Sequence, residues 1–276
     1  MKHFFTSLFF LIFSLNSFSS TFRSQIHSID LGKADERHLI MLTNGRTAFL
    51  APKSKMLIEA AEQSLQNGDT VEIHLDSKLN LISIQTVAPE VQLGNEDLDP
   101  REMKSYAPSI ISLATAQSVF QSMRRDYQNE SQCFNRAHIW TYEAFKRNAL
   151  MSNKLFLFFT TRYIRKYNFN WWFHVTPMAY VGGTSQPNWR TLDRRYTSGP
   201  LSTKTWTDIF MRNDALCPVV YTYSSYRNHQ SEEYCYLIPT SMYFWQPWDI
   251  QQQETTGYVK TQFFSSQINS AYQEAF

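Results

Sequence analysis

Apolar and polar positions in the first third of the chain predict a β-hairpin. The segments 38–42 and 47–50 are mostly apolar, and they flank the dipeptide Asn44-Gly45. Asn-Gly is the strongest short signal for a tight turn between antiparallel strands, because both residues tolerate positive backbone φ angles. This part of the chain is therefore expected to form two paired strands.

A helix and a second pair of strands are predicted after the hairpin. Residues 54–66 place apolar side chains at helical spacing, and Gly68 follows as a suitable stop. Residues 71–76 alternate between apolar and polar, as a half-buried strand does, and 79–87 is the expected partner. Together these patterns predict a small ββαββ domain over residues 20–87.

The pattern changes after a polar and acidic stretch, residues 88–107, which its composition predicts to be a linker. A stripe of apolar residues predicts a helix over 108–125, and a second helix is expected to begin near Ser131. Residues 155–159 form an unbroken apolar run, which suits a central strand buried on both faces. The region 108–276 therefore opens with helices.

Further strands dominate the rest of this region. The segments 169–175 and 178–181 are predicted as two strands separated by Pro177, and 188–192 as a third. Ser202 is the expected N-cap of a short helix. Helices followed mostly by strands predict an α+β fold, in which N-terminal helices pack on a mostly antiparallel sheet.

Composition and charge limit the partners. Aromatic residues make up 16% of the 276 residues, and most of them lie in the C-terminal part, which predicts a larger core there. Residues 1–19 have the basic start, short apolar core and small final residues of a secretory signal peptide. The formal charge is +2 and falls to +1 without Lys2, so neither nucleic acid nor a membrane is an expected partner. We expect an exported protein, secreted or periplasmic.

The three cysteines differ in their surroundings. Ser131 is a plausible N-cap, which places Cys133 in the first helical turn, where backbone N–H groups and the helix dipole favour a thiolate. Cys217 and Cys235 each lie beside a predicted strand and could close a hairpin with one disulfide, worth about 3 kcal/mol. Cys133 is then a free thiol and a candidate nucleophile. An inert, buried small residue is the alternative.

His174 and Asp193 are the candidates for a base and its orienting carboxylate. Alternation over 169–175 predicts that Trp172 and His174 share one face of a strand. Asp193 ends the following predicted strand and could reach the imidazole. With Cys133 they would form a triad in which histidine accepts the thiol proton and aspartate fixes the ring.

Other residues compete for these two roles. Asp208, Asp214 and Asp249 also follow in the sequence, so spacing alone leaves the choice of carboxylate open. His138 is near Cys133 in sequence, but five residues along a helix correspond to a rotation of about 140°. Their side chains diverge, and a structural role is expected for His138.

Two further sets of residues complete the candidates. Backbone N–H groups at Cys133 and the helix start could bind a developing oxyanion, with the Gln132 side chain as a weaker donor. His27, His38 and His74 are scattered and have no cysteine or carboxylate at metal-ligand spacing. They are expected to be structural or surface residues, and neither a metal nor another cofactor is expected.

Three short motifs in order resemble those of the bacterial protein-glutaminases, the protein-glutamine deamidases. They are Cys-Phe-Asn-Arg-Ala-His at 133–138, Trp-Phe-His-Val at 172–175 and Leu192-Asp193, followed by Gly199-Pro200. The resemblance implies that Cys133, His174 and Asp193 are catalytic, and that the Arg-Ala-His element is structural. It also implies a core similar to those of transglutaminases and papain-like cysteine proteases.

The resemblance implies an activity and a form of regulation. The activity is hydrolysis of glutamine side-chain amides in proteins or peptides, through a cysteine thioester, to glutamate and ammonia. Secreted zymogens of this family have a pro-segment over the active site, which implies intramolecular inhibition by residues 20–87. That region contains no recognised family motif, so a permanent binding domain is the alternative.

Other functions remain open from the sequence. A transglutaminase or a cysteine peptidase would use the same triad with another acceptor or another amide. A non-catalytic, exported binding module is the alternative outside the enzymes, with Trp171, Trp172, Trp245 and Trp248 as its surface. Aromatic clusters are more often core than surface.

Overall fold

The computed structural model describes residues 20–33, 36–88, 107–212 and 215–276. The predicted signal peptide and all of the predicted linker except its two end residues lie outside these ranges. The described residues form an α+β fold with two sheets, which confirms the predicted fold class. No helix in these ranges is both long and apolar enough to cross a membrane.

Five strands and one helix form the N-terminal region. In chain order they are β1 (Ser20–Asp30), β2 (His38–Leu42), β3 (Thr47–Leu50), α1 (Lys55–Asn67), β4 (Thr70–Leu75) and β5 (Leu81–Thr86). The antiparallel sheet has the order β3-β2-β1-β4-β5. The predicted ββαββ arrangement is therefore wrong by one strand, because it omits β1, which lies at the centre of the sheet.

The weak hydropathy pattern of β1 follows from its pairing. Residues 20–25 pair with β4 and residues 26–30 pair with β2, with a bulge after Ile26. Each half of β1 therefore has one neighbouring strand, and its inward positions include buried Ser24. The Ser24 and Thr43 hydroxyls are 3.1 Å apart and share a hydrogen bond. A polar residue at an inward position hides the alternation by which strands are recognised.

The C-terminal region begins with helices and continues mainly as strands. Its elements are β6 (Ile110–Ile111), α2 (Leu113–Ser122), α3 (Cys133–Asn148), β7 (Asn153–Phe159), α4 (Thr161–Tyr167), β8 (Phe173–Val181), β9 (Trp189–Thr191), β10 (Leu201–Ser202), α5 (Thr203–Phe210), α6 (Tyr223–Asn228), β11 (Cys235–Ser241), α7 (Pro247–Thr256) and α8 (Ser265–Ala275). The antiparallel path of the main sheet is β10-β9-β8-β7-β11, and β6 adds a parallel pair with β8.

Pro177 does not interrupt β8, although the sequence predicts two strands on either side of it. The Leu192 N–H donates to the Pro177 carbonyl at 2.9 Å. In a strand, the nitrogen and the carbonyl of one residue point toward the same neighbouring strand. The Pro177 nitrogen, which has no hydrogen, therefore points toward the chain just after Thr191, where β9 has ended. The strand therefore continues through the proline, and the bond that Pro177 cannot donate lies beyond the end of β9.

The two regions share one hydrophobic core. The apolar run 155–159 in β7 is completely buried, as its sequence predicts. Leu39, Met41 and Phe49 of the N-terminal sheet belong to the same cluster as β7 and β8, whereas the residues packed around α1 form a separate cluster. Packing therefore fixes the N-terminal sheet against the strands that carry the candidate site.

Cys217 and Cys235 form a disulfide, but the predicted hairpin between them is wrong. Residues 218–220 run parallel to β11, because α6 lies between the two cysteines in sequence and returns the chain to the start of the strand. Two hydrogen bonds of 2.9 Å join this segment to the N–H and carbonyl of Leu237. The segment thus covers the outer edge of β11.

Candidate active site

Cys133 is the first residue of α3. Gln132, rather than the predicted Ser131, is the N-cap residue, and its side chain makes no capping hydrogen bond. Ser131 instead donates its hydroxyl to the Gln128 carbonyl at 2.6 Å, which stabilises the preceding turn. Cys133 still lies in the first turn, beside unpaired N–H groups and the positive end of the helix dipole. It is the free cysteine of the chain.

Antiparallel pairing of β8 and β9 brings His174 and Asp193 together. The distance between His174 Nε2 and Asp193 Oδ2 is 2.7 Å, and both side chains are buried. The Trp206 indole N–H also donates to Asp193 Oδ2, at 3.0 Å. Cys133 interacts with the same imidazole and raises its pKa, and both residues line one pocket. The three residues singled out in the sequence are therefore in one continuous series of contacts.

The charges of this series are mutually stabilising. Burial lowers the pKa of His174, but the Asp193 carboxylate and Cys133 outweigh burial and raise this pKa to about 9. Burial raises the pKa of Asp193, but His174, the Trp206 hydrogen bond and Arg136 together bring that pKa below its usual value. The pair is therefore an imidazolium and a carboxylate near neutral pH.

Trp171, and not Trp172, packs on the His174 ring. The two ring centroids are 5.8 Å apart and the planes differ by 16°. Alternation over 169–175 predicts Trp172 at this place, but β8 begins only after Trp172, where the chain bends. Trp172 is instead buried and stacks on His27, at 4.5 Å between centroids.

The rival residues lie in other surroundings. Asp208 and Asp249 each form an ion pair with a lysine, at 2.5 and 2.6 Å. Asp214 lies outside the described residues. His138 is buried, and its Nδ1 is 2.6 Å from the Lys154 ammonium nitrogen. Its other neighbours are aromatic rings.

A pocket connects Cys133 and His174 to solvent. Its walls are the start of α3 with the loop before it, the turn between β2 and β3, residues 195–196, and Trp171, Phe173 and His174. Gln132 also lines the pocket, but its side-chain amide donates to the Glu130 carbonyl at 3.3 Å. The oxyanion role of both predicted donors, the Gln132 side chain and the backbone N–H groups at the helix start, stays a prediction.

The turn between β2 and β3 forms part of the wall of this pocket. Asn44, Gly45 and Arg46 line it together with the candidate residues. The Trp172 N–H donates to the Gly45 carbonyl at 3.0 Å, and the Arg46 guanidinium is 2.9 Å from the Glu130 carboxylate. The N-terminal region is thus hydrogen-bonded to the wall of the pocket by its backbone and held at the rim by an ion pair.

A free thiol at a helix start, an imidazole in contact with it and a buried carboxylate on that imidazole are the groups that cysteine-dependent hydrolases use. The fold and the site have the arrangement of that class.

The match to a known family is more specific. Residues 109–210 match the model of a family described as glutaminase. This segment runs from the start of the C-terminal region to the end of α5 and contains Cys133, His174 and Asp193. The match confirms the resemblance seen in the sequence over residues 109–210, and it supports the prediction that the chain is an enzyme.

Three solved structures are similar to this chain at low identity. The crystal structure of pro-protein-glutaminase has a TM-score of 0.48 and 14% identity, covering 83% of this chain and 84% of that chain. A mutant of that pro-protein has a TM-score of 0.49 and 15% identity, with coverage of 82% and 84%. The NMR structure of protein-glutaminase from Chryseobacterium proteolyticum has values of 0.36 and 14%, covering 59% and 84%. Among curated proteins, none matches the chain significantly.

Proposed function

We propose that the chain hydrolyses the side-chain amide of glutamine residues in proteins, giving glutamate and ammonia. The glutaminase match over residues 109–210 supports the reaction class. The observation that carries the proposal is the contact series from Cys133 through His174 to buried Asp193. In this proposal Cys133 is the nucleophile, His174 the acid and base, and Asp193 the group that orients the imidazole.

The reaction proceeds through a thioester. The Cys133 thiolate attacks the carboxamide carbon, a C–S bond forms, and N–H groups at the start of α3 stabilise the oxyanion. Collapse of this intermediate breaks the C–N bond, and His174 gives its proton to the departing ammonia. Water activated by His174 then cleaves the thioester, which releases glutamate and restores the cysteine.

Ammonia release from casein by the wild type and by Cys133→Ala tests the activity. We expect ammonia from the wild type after cleavage between residues 88 and 107, and none from the variant, without new peptide fragments or crosslinked species. Crosslinks would support a transglutaminase, and fragments would support a peptidase. If the cleaved protein with its N-terminal fragment removed releases no ammonia, the proposal is wrong.

We also propose that residues 20–87 inhibit the enzyme in the intact chain. Residues 44–46 line the same pocket as Cys133 and His174, so the N-terminal region lies beside the place that a glutamine side chain must reach. We expect cleavage between residues 88 and 107, followed by separation of the fragments, to raise the rate of ammonia release. Equal rates before the cut and after separation would contradict inhibition and favour a permanent binding domain.

We propose that the protein is exported. The predicted signal peptide, residues 1–19, lies outside the described residues, but the disulfide between Cys217 and Cys235 suits an oxidising compartment. A culture that expresses the full gene should contain the protein outside the cytoplasm, without residues 1–19. Recovery of an uncleaved N-terminus from the cytoplasm would contradict this.

A further inference from the structure

Arg136 is a buried cation without an ordinary ion-pair partner. Its side chain is 2% exposed, and its Nε is buried with no hydrogen-bond partner among the described residues. Its Nη1 donates to the carbonyl of Ser131, and to the Ser131 hydroxyl at 3.0 Å. In the part of the chain that the structure describes, no carboxylate lies within ion-pair distance of Arg136. Buried charges normally require a counter-charge.

The place of Arg136 in α3 makes this cation more unusual. It is the fourth residue of the helix, where the positive end of the helix dipole disfavours a cation. Residues three apart on a helix lie on the same face, so Arg136 is next to Cys133. Both residues line the candidate pocket. Among the groups that favour the charged form of Arg136, Cys133 has the largest effect.

The charged and titratable groups around these two residues come from several elements. They are His174 on β8, Asp193, Arg195 and Tyr196 after β9, Tyr127 before α3, and the Arg46–Glu130 ion pair at the rim. Burial lowers the pKa of Arg136, and Cys133, Asp193 and Tyr196 act in the opposite direction. The charge of His174 is balanced by Asp193. The buried cation that can act as a counter-charge for the Cys133 sulfur is therefore Arg136, whose charge is permanent.

We propose that Arg136 is a positioning residue of this site: its guanidinium is the buried counter-charge for the negative charge that Cys133 carries when it acts as the attacking thiolate. Its bonds to Ser131 also hold the loop that leads into α3. This role rests on the proposed function only in taking Cys133 as the nucleophile. The Arg-Ala-His element, which the family resemblance suggests to be structural, then has an electrostatic part as well.

The pH dependence of Cys133 alkylation by iodoacetamide tests this in the intact chain. The other two cysteines are bonded to each other, so the label reports on Cys133 alone. In Arg136→Met we expect the midpoint of the labelling profile to move up by about one pH unit, with labelling roughly tenfold slower below it. Arg136→Lys keeps the charge and should stay within a few tenths of a unit of the wild type.

Arg194→Met is a matched control for loss of a buried guanidinium. Arg194 is 7% exposed and has nitrogens without partners among the described residues, but it packs on Phe120 outside the pocket. This variant should keep the wild-type labelling profile. If the labelling midpoint of Arg136→Met also equals that of the wild type, the proposed role of Arg136 is wrong, and the proposed function is not affected. If wild-type Cys133 reacts at no pH, either in the intact chain or after cleavage between residues 88 and 107 and removal of the N-terminal fragment, it is not the nucleophile and both proposals are wrong.

Discussion

The protonation of His174 depends on one carboxylate. Because contact with Asp193 and Cys133 raises the pKa of this imidazole to about 9, the folded state binds its proton more tightly than the unfolded state does. The interaction therefore stabilises the fold fully below the unfolded pKa of about 6.5, and this contribution is lost as the pH rises through about 9. The same imidazolium is the proposed proton donor to ammonia.

Activity is therefore expected to decline above about pH 9, where the imidazolium loses its proton. In Asp193→Asn the decline of activity at high pH should begin at a lower pH. Burial lowers the pKa of His174, and the carboxylate that opposes this effect is absent. The rate at neutral pH should fall by roughly 10²- to 10⁴-fold. Ammonia release measured against pH checks both effects. Asp208→Asn, which alters an aspartate in a surface ion pair, should leave the limb unchanged.

The sequence predicts candidate residues well where the chemistry requires one residue type. It singled out Cys133, His174 and Asp193, and the structure brings them into contact, although their roles stay predictions. It did not place Trp171 beside His174, because a bend ahead of β8 breaks the alternation from which faces are predicted. It also missed Arg136 as a site residue. The spacing of three residues between Arg136 and Cys133 could have indicated it. The sequence cannot show, however, that Arg136 is buried without a carboxylate partner.

At the scale of elements, the turn between β2 and β3 is shaped to fit against β8. Gly45 has a φ of +86°, and a Cβ at this residue would lie 3.1 Å from a ring carbon of Phe173. Both features favour glycine, because other residues are strained at positive φ and the space is narrow. The close approach of the turn to the pocket thus depends on one missing side chain.

Gly45→Ala is expected to loosen the turn and raise the activity of the uncut chain. The methyl group must displace Phe173 or the turn, and the positive φ adds about 1–2 kcal/mol of strain. Gly68→Ala is the matched control, since Gly68 has a φ of +69° and an added Cβ there would meet nothing within 4 Å. Ammonia release by the uncut chain should be faster in Gly45→Ala than in Gly68→Ala. Equal activity would mean that the turn does not limit access.

The elements that the sequence predicts are those with strong apolar periodicity. The hairpin strands and the β7 run lie where the pattern puts them. The helix α8 was not predicted, because it buries only Ile268, Ala271 and Ala275, and small side chains give a weak stripe. The continuity of β8 through Pro177 depends on where β9 ends, which is a property of the neighbour and not of the local sequence.

For the molecule as a whole, His27 is a half-buried contact between the two regions. Its Nε2 is 2.6 Å from the Tyr223 hydroxyl, and its ring stacks on Trp172. Burial lowers the pKa of His27 to about 4, so the assembled form favours the neutral ring. Separation exposes the ring, which then takes up a proton below its ordinary pKa. Acid should therefore weaken the contact.

After cleavage between residues 88 and 107, the two fragments should stay together at pH 7.5 and separate more readily at pH 5. A change in pKa from 6.5 to about 4 corresponds to roughly a 30-fold loss of affinity at pH 5. Size-exclusion chromatography at the two pH values measures this. His27→Gln should remove most of the pH effect, and His74→Gln, on the partly exposed β4, should retain it. An unchanged pH effect in His27→Gln would contradict the assignment.

The disulfide beside β11 has a consequence for how this enzyme can be made. Residues 218–220 shield an edge that would otherwise recruit strands from other molecules, and the covalent bond at Cys217 anchors that shield. Yet the proposed chemistry needs Cys133 to remain reduced. During folding, Cys217 and Cys235 must therefore be oxidised while Cys133 stays reduced. A disulfide between Cys133 and either of the others would inactivate the enzyme and promote aggregation.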